Sequence, residues 1–154
     1  MQDNALIIKQ SILIPAPIDQ VWQFLMTEED MKSWFTADEF VIDIIEGGKI
    51  EIPLIIEGEK VWIEGEIGLI LPEDKFAFTW IERDVSGDTW FNNTTVTIGL
   101  EKTGSQTTLT LEHDGFKYLP EEVRMAVYNK YSGFWSKDGM LQRLHSLIMK
   151  QYNR

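Results

Sequence analysis

Residues 6–25 read LIIKQSILIPAPIDQVWQFL, and the spacing of their apolar side chains changes at Pro15. Before this proline, apolar residues from Leu6 to Ile14 fall mostly on alternate positions, which is typical of a strand with one buried face. After it, Pro17 suits the first position of a helix, and the apolar residues recur at helical spacing. The stretch therefore predicts a strand that is followed at once by a helix.

Further along, the sequence predicts a second short helix and then a series of strands. Thr27 precedes three acidic residues, as an N-cap does, and this helix should end near Trp34 and Phe35. From Phe40 to Asp114, short alternating apolar segments are separated by turn residues at regular intervals. Together with the first strand they predict an antiparallel sheet of six to seven strands.

The last third of the chain changes to a helical period. After Pro120, apolar residues recur every 3.6 positions, but Gly133 and Gly139 interrupt the pattern. Because glycine destabilises a helix interior, a kink or break is expected near residues 132–138. A long amphipathic helix over one face of an antiparallel sheet is an α+β architecture. With no internal repeat or linker, residues 1–154 are predicted to form a single domain.

The chain carries 25 acidic and 14 basic side chains, a formal net charge of −11. Such a surface repels phosphate backbones, so nucleic acid is not an expected partner. The charge is uneven, because the last 35 residues carry +3 and the remaining 119 carry −14. This asymmetry suggests electrostatic pairing between the C-terminal segment and the acidic body, and a solvated charged face is the simpler alternative.

Several residue types and motifs that would indicate a particular chemistry or location are missing from the sequence. There is no cysteine, no signal-peptide pattern at the start and no apolar run long enough for a membrane span. We therefore expect a cytoplasmic protein without disulfides or membrane insertion. The two histidines, His113 and His145, lack metal-binding spacing, and no phosphate-binding glycine motif is present. No metal site and no cofactor are expected.

Five sequence motifs in order carry a family resemblance. They are IPAPIDQVW at 14–22, the segment from Met31 to Phe35, Gly47-Gly48, Pro72 with FAFTW at 76–80, and TLTLEHDGF at 108–116. On these motifs the chain resembles the START-like (SRPBCC, birch-pollen-allergen-like) helix-grip superfamily, and within it the AHSA-like subfamily of activators of the heat-shock protein 90 ATPase. The resemblance implies a curved sheet that grips a long C-terminal helix, with a hydrophobic cavity between them.

One position departs from the subfamily pattern. Relatives often open the last helix with a Gly-Trp pair, followed by leucines four and seven residues after the tryptophan. Here Gly139-Met140 with Leu144 and Leu147 keeps the spacing, but methionine replaces tryptophan. Trp135, about one turn earlier, is expected to supply the ring, which would change the shape of the groove entrance.

Ligand-binding residues are expected on the apolar face of the sheet and on the elements that cover it. His113 falls on that face at the end of the last strand, where a histidine satisfied by hydrogen bonds is the simpler alternative. Thr94 and Glu82 share the same parity, but Glu82 lies beside Arg83 near a turn and is predicted to be a solvated rim residue. The predicted ligand-binding residues are Phe78, Trp80, Asn92, His113, Phe116, Tyr131, Trp135 and Met140.

The sequence favours non-enzymatic binding of an apolar or amphipathic small molecule, a lipid or an aromatic compound. The alternative is a co-chaperone-like module of the stress response that stimulates a heat-shock ATPase through the outer sheet face near Trp62, Glu64 and Glu66. Full chaperone activators carry a further N-terminal domain, for which 154 residues leave no room, so this alternative ranks second. A small cavity enzyme, a cyclase or hydrolase with His113 as acid or base, is the weaker alternative, because no catalytic set is evident.

Overall fold

A computed structural model describes residues 6–35, 39–84, 93–136 and 138–153. Seven strands form one antiparallel sheet in the order β1-β7-β6-β5-β4-β3-β2. The strands are β1 (Ile8–Ile14), β2 (Val41–Ile42), β3 (Lys49–Ile56), β4 (Glu59–Leu71), β5 (Lys75–Asp84), β6 (Thr94–Thr103) and β7 (Gln106–Asp114). The helices are α1 (Ile18–Leu25), α2 (Glu28–Phe35), α3 (Glu121–Phe134) and α4 (Met140–Tyr152), with a 3₁₀ turn at Phe116–Tyr118. The predicted α+β helix-grip fold is confirmed.

The first strand lies beside the last one. β1 pairs antiparallel with β7 in a register that sets Ile8 opposite His113 and Ile14 opposite Thr107. These two strands are the first and the last of the sheet in sequence order. The turn after Ile14 leads directly into α1, so the two short helices start at the Thr107 end of β7.

The C-terminal helix is broken where the glycines predicted a break. A Cβ on Gly139 would lie 2.9 Å from the carbonyl oxygen of Phe134, a backbone contact that side chains do not tolerate. The second half is fastened to α2, because Trp34 Nε1 donates to the Met140 carbonyl at 2.8 Å and Arg143 Nε donates to the Trp34 carbonyl at 3.0 Å. The grip is therefore made by two helices, α3 and α4.

The apolar face of the sheet packs against the helices and forms one core. In β6 and β7 the buried and less buried residues alternate, as the strand parity predicts. Along the described ranges, no helix combines the length and the apolar character needed to cross a bilayer.

Gly65 allows β4 and β5 to approach each other closely. A Cβ at this position would lie 2.0 Å from the carbonyl oxygen of Thr79, which belongs to the paired strand. We expect Gly65→Ala to lower the free energy of unfolding by about 3 kcal/mol, because the strands must separate locally. Gly68→Ala is the matched control, since its Cβ would lie 4.0 Å from the nearest atom, the Ala77 carbonyl oxygen. Urea denaturation of the two variants checks this, and equal losses would contradict it.

Candidate functional site

Side chains from the sheet and the helices meet in a group of rings that we call the aromatic cluster. Its members are Phe35, Trp80, His113, Phe116, Tyr131, Phe134 and Trp135. Trp80 on β5 is the hub: its ring centroid lies 5.3 Å from that of Trp135 and 5.7 Å from that of Tyr131, both edge-on. Edge-to-face pairs at these distances are favourable beyond the area that they bury. The cluster therefore ties α2 and α3 to the sheet.

The turn at the end of β7 positions His113 in the cluster. Gly115 has φ +108, and a Cβ there would lie 3.0 Å from Thr94 Cα, so glycine suits both the conformation and the space. The turn places Phe116 against the imidazole, with ring centroids 4.5 Å apart. Asp114 supports the turn by accepting a 2.7 Å hydrogen bond from the Gly115 backbone N–H. The His-Asp-Gly-Phe motif therefore builds this corner of the cluster.

Both nitrogens of His113 are engaged in hydrogen bonds. Trp135 Nε1 donates to Nδ1 at 2.9 Å, so Nδ1 carries no proton. The hydroxyl of Thr94 donates to the Trp80 carbonyl at 2.7 Å and lies 2.7 Å from Nε2. Because its proton is used on that carbonyl, the hydroxyl accepts from Nε2–H, and this fixes one neutral tautomer. Neither nitrogen is available to exchange a proton with a substrate in this arrangement.

The neutral state of His113 follows from its surroundings. The side chain is fully buried, and burial lowers the pKa of the imidazole from 6.5 to about 3. A second ring proton would also point at the Trp135 N–H, which is itself a donor. The geometry therefore matches the simpler of the two sequence interpretations, a histidine satisfied by hydrogen bonds, and disfavours an acid–base role.

Glu82 corrects one sequence expectation. The sequence predicts a solvated rim residue, but Glu82 is 9% exposed and binds Lys130 Nζ through both carboxylate oxygens, at 2.8 and 2.9 Å. It also accepts a 2.5 Å hydrogen bond from the Tyr131 hydroxyl. The local sequence pointed to solvent because the partners lie 48 and 49 residues away. The ion pair supplies one instance of the predicted pairing between the C-terminal segment and the acidic body.

This polar group changes the chemistry of Tyr131. Burial raises the pKa of its hydroxyl well above 10, and the negative charge and hydrogen bonding of Glu82 act in the same direction. The Trp80 indole N–H opposes this effect on the pKa, yet Trp80 Nε1 makes no hydrogen bond of ordinary geometry. The cluster thus contains a buried N–H donor that faces the Tyr131 hydroxyl without a hydrogen bond of ordinary geometry.

The ion pair between Lys130 and Glu82 carries a testable expectation. The two side chains are 19% and 10% exposed, so Lys130→Met would leave a buried carboxylate without its cation. We expect the free energy of unfolding to fall by about 3 kcal/mol in this variant. The double variant that adds Glu82→Gln should recover part of the loss, because no unpaired charge remains.

Arg83→Met is the matched control for Lys130→Met. Arg83 pairs with Glu64 at 2.6 Å, but both side chains are more than a third exposed, at 39% and 38%. Water and salt screen such a pair, so the loss should stay below about 1 kcal/mol. Chemical denaturation of the three variants measures this, and a Lys130→Met loss no larger than that of Arg83→Met would contradict it.

The structure brings most of the predicted site residues together. Trp80, His113, Phe116, Tyr131 and Trp135 lie together in the aromatic cluster, and each is fully buried. Their rings contact one another directly in the region where the sequence predicted a cavity.

The remaining predicted residues lie at the border of the cluster or beyond it. Phe78 lies next to Trp80 on β5, with ring centroids 6.3 Å apart. Met140 is half-buried at the start of α4, and its carbonyl holds Trp34. Asn92 lies outside the described residues.

The sequence does not predict two contributors to the site. Lys130 belongs to the basic C-terminal segment, and Phe35 is the predicted end of α2, but no local pattern assigns either to the site. The signal for Lys130 was its position next to Tyr131, which places its ammonium 5.2 Å from that ring's centroid. Phe35 had no such signal, because its contact with Trp80 depends on how α2 packs on the sheet.

A surface cleft of about 410 Å³ lies at the other end of β7. Its lining includes Pro17 at the start of α1, Lys102 and Gln106 from the β6–β7 hairpin, and Tyr152 from α4. It is open to solvent and separate from the aromatic cluster. Among the residues that the structure describes, no group of three or more His, Asp or Glu side chains is placed to hold a metal ion.

Comparison with known protein families shows to which family the chain belongs. A family model described as Activator of Hsp90 ATPase homolog 1-like protein, AHSA1, matches residues 15–137. The chain belongs to this family. The match spans the turn before α1, all strands after β1, and helices α1 to α3. It therefore includes the strands and the helices that build the aromatic cluster. A comparison with curated protein sequences finds no match.

Solved structures similar to this AHSA1-family chain share its fold at low sequence identity. A crystal structure of a Mesorhizobium loti protein has a TM-score of 0.74 at 17% identity, covering 94% of this chain and 97% of that one. An Arthrobacter aurescens protein solved by NMR has a TM-score of 0.75 at 16% identity, covering 97% and 90%. A Staphylococcus aureus protein of unknown function has a TM-score of 0.74 at 12% identity, covering 97% of each chain. These similarities show the fold alone.

Proposed function

We propose that this AHSA1-family protein binds an apolar or amphipathic small molecule, a lipid or an aromatic compound, between its sheet and C-terminal helices, without catalysing a reaction on it. The observation that supports this most is the aromatic cluster itself. It joins apolar walls from several elements to a few fixed polar groups, which is the composition of small-molecule sites.

The limited burial of α3 supports access to the cluster. Of its 14 residues only Tyr131 is buried, and Val123 and Met125 are 42% and 51% exposed. α4 remains fixed to α2 through Trp34 and Arg143. Displacement of α3 would thus uncover the apolar face of the sheet around Trp80, while α4 stays in place.

Native mass spectrometry of protein purified without detergent tests this function. We expect an added mass of a few hundred daltons that is lost when the protein is denatured, or uptake of apolar compounds from a lipid and aromatic library. A protein that purifies without any added mass and takes up no compound from the library would overturn the proposal.

A second candidate function is a protein contact on the outer face of the sheet. Ile55 on β3 is 73% exposed, and on the adjacent β4 the half-buried Trp62 has the Lys60 ammonium 5.4 Å from its ring centroid. Glu64 and Arg83 form an exposed ion pair beside them. Exposed apolar side chains rimmed by charges suit a partner surface, and the family name suggests a heat-shock ATPase as that partner.

The chaperone contact has its own test. If this face is the contact, Trp62→Ala should reduce stimulation of a heat-shock protein 90 ATPase by several-fold, whereas Tyr152→Ala, which truncates an exposed ring on α4, should not. Absence of stimulation by the unmodified protein would exclude this candidate and leave the small-molecule proposal intact.

A further inference from the structure

We propose that Trp80 is the recognition donor of the site, and that the ligand is an apolar molecule bearing a neutral acceptor oxygen, such as a ketone or ether. This inference rests on the proposed function and narrows it, because it excludes ligands with an anionic head group. It follows from the hydrogen-bond inventory of the aromatic cluster and from its charge balance.

The hydrogen-bond inventory leaves one donor over. Trp34 donates to the Met140 carbonyl and Trp135 donates to His113, so these two buried indoles are satisfied. Trp80 is fully buried, yet its N–H meets the Tyr131 hydroxyl without ordinary hydrogen-bond geometry. A buried donor without an acceptor is destabilising, and a ligand oxygen that accepts from it would remove this penalty.

The charge balance indicates that this oxygen is neutral. Lys130 and Tyr131, which bind the Glu82 carboxylate, lie on α3 and move with it, so a ligand that reaches Trp80 meets this negative charge. His113 is neutral and supplies no positive charge. A ligand carboxylate would therefore be repelled by Glu82, and burying a second negative charge here is unfavourable.

The rings around Trp80 define the rest of the ligand. Phe78, Tyr131, Phe134 and Trp135 all lie within 6.3 Å of the Trp80 ring, measured between centroids. Three of these four belong to α3 or to its last turn, so they move with that helix. A ligand that replaces them against Trp80 must offer a comparable apolar surface.

Three probes with one ring skeleton test the inference. Fluorene has no acceptor oxygen, fluorenone adds a ketone, and fluorene-9-carboxylate adds a charge. We expect fluorenone to bind about tenfold more tightly than fluorene, as one satisfied hydrogen bond predicts, and the carboxylate to bind more weakly than both. Trp80→Phe keeps a ring and removes the N–H, so it should abolish the fluorenone preference. Trp135→Phe is the matched control and should retain that preference, even if both affinities fall.

NMR of the unmodified protein provides a readout that does not depend on how the variants fold. The indole N–H signal that is missing in Trp80→Phe should move downfield when fluorenone is added, and not when fluorene is added. Equal affinities for fluorene and fluorenone, or a preference that survives Trp80→Phe, would overturn the inference while leaving the proposed function standing. Failure of all three probes, together with no library ligand, would overturn both.

Discussion

Replacing Trp135 with alanine should lower the free energy of unfolding by about 3–5 kcal/mol, a large part of the stability of a domain of this size. The side chain is fully buried and its ring contacts Trp34, Phe35, Trp80 and Phe134. Truncation also removes the N–H that His113 Nδ1 accepts, so a buried acceptor is left without its donor. Urea denaturation followed by far-ultraviolet circular dichroism measures the loss.

Added indole should restore part of that stability. The truncation leaves a space of indole shape that is lined by rings and faces one acceptor, and such engineered cavities bind small aromatic molecules. At a concentration 100 times its dissociation constant, indole would recover about 2.7 kcal/mol. Trp62→Ala is the control, because this half-buried ring on the outer sheet face should cost less and show no rescue. Equal rescue of both variants would contradict the account of the cluster.

The second large effect is a loss of stability in acid that depends on His113. In the folded protein, burial lowers the pKa of this histidine from 6.5 to about 3. Between these pH values the unfolded chain binds a proton at His113 and the folded protein does not. Stability therefore falls as the pH drops from about 6.5 towards 3, by about 1.4 kcal/mol for each pH unit. Between pH 6.5 and 4.5 this amounts to about 2–3 kcal/mol.

Comparison with His113→Gln isolates this contribution from that of the carboxylates. The variant lacks the titrating group, so its stability should change less between pH 6.5 and 4.5, even if it is less stable at pH 7. The measurement is the free energy of unfolding in urea at several pH values for both proteins. Parallel curves would show that His113 binds its proton equally well in the folded and unfolded states, contrary to the hydrogen bonds of the buried neutral ring.

Local sequence patterns were sufficient for most of the fold. The switch at Pro15 predicted β1 and α1, and the alternation after Phe40 predicted the antiparallel sheet, because both patterns report which side of an element faces the core. Gly133 and Gly139 predicted the interruption between α3 and α4. The sequence could predict these features because each depends on residues close together in the chain.

The sequence predicted only part of the candidate site. Strand parity placed Trp80 and His113 on the inner face, where both are found. The same parity included Glu82, but its charged neighbours in the sequence suggested solvent, and Lys130, which makes burial of this carboxylate tolerable, is 48 residues away. No local pattern reports a partner at that distance.

The sequence by itself determined the order of the elements, their buried faces and membership of a helix-grip family, because periodicity and turn chemistry are local properties. Only the tertiary structure decided the state of the polar groups inside. Trp135 and Thr94 fix the neutral tautomer of His113, Lys130 neutralises Glu82, and the Trp80 donor makes no hydrogen bond of ordinary geometry. Protonation and hydrogen bonding depend on which side chains meet in space, and packing alone sets those encounters.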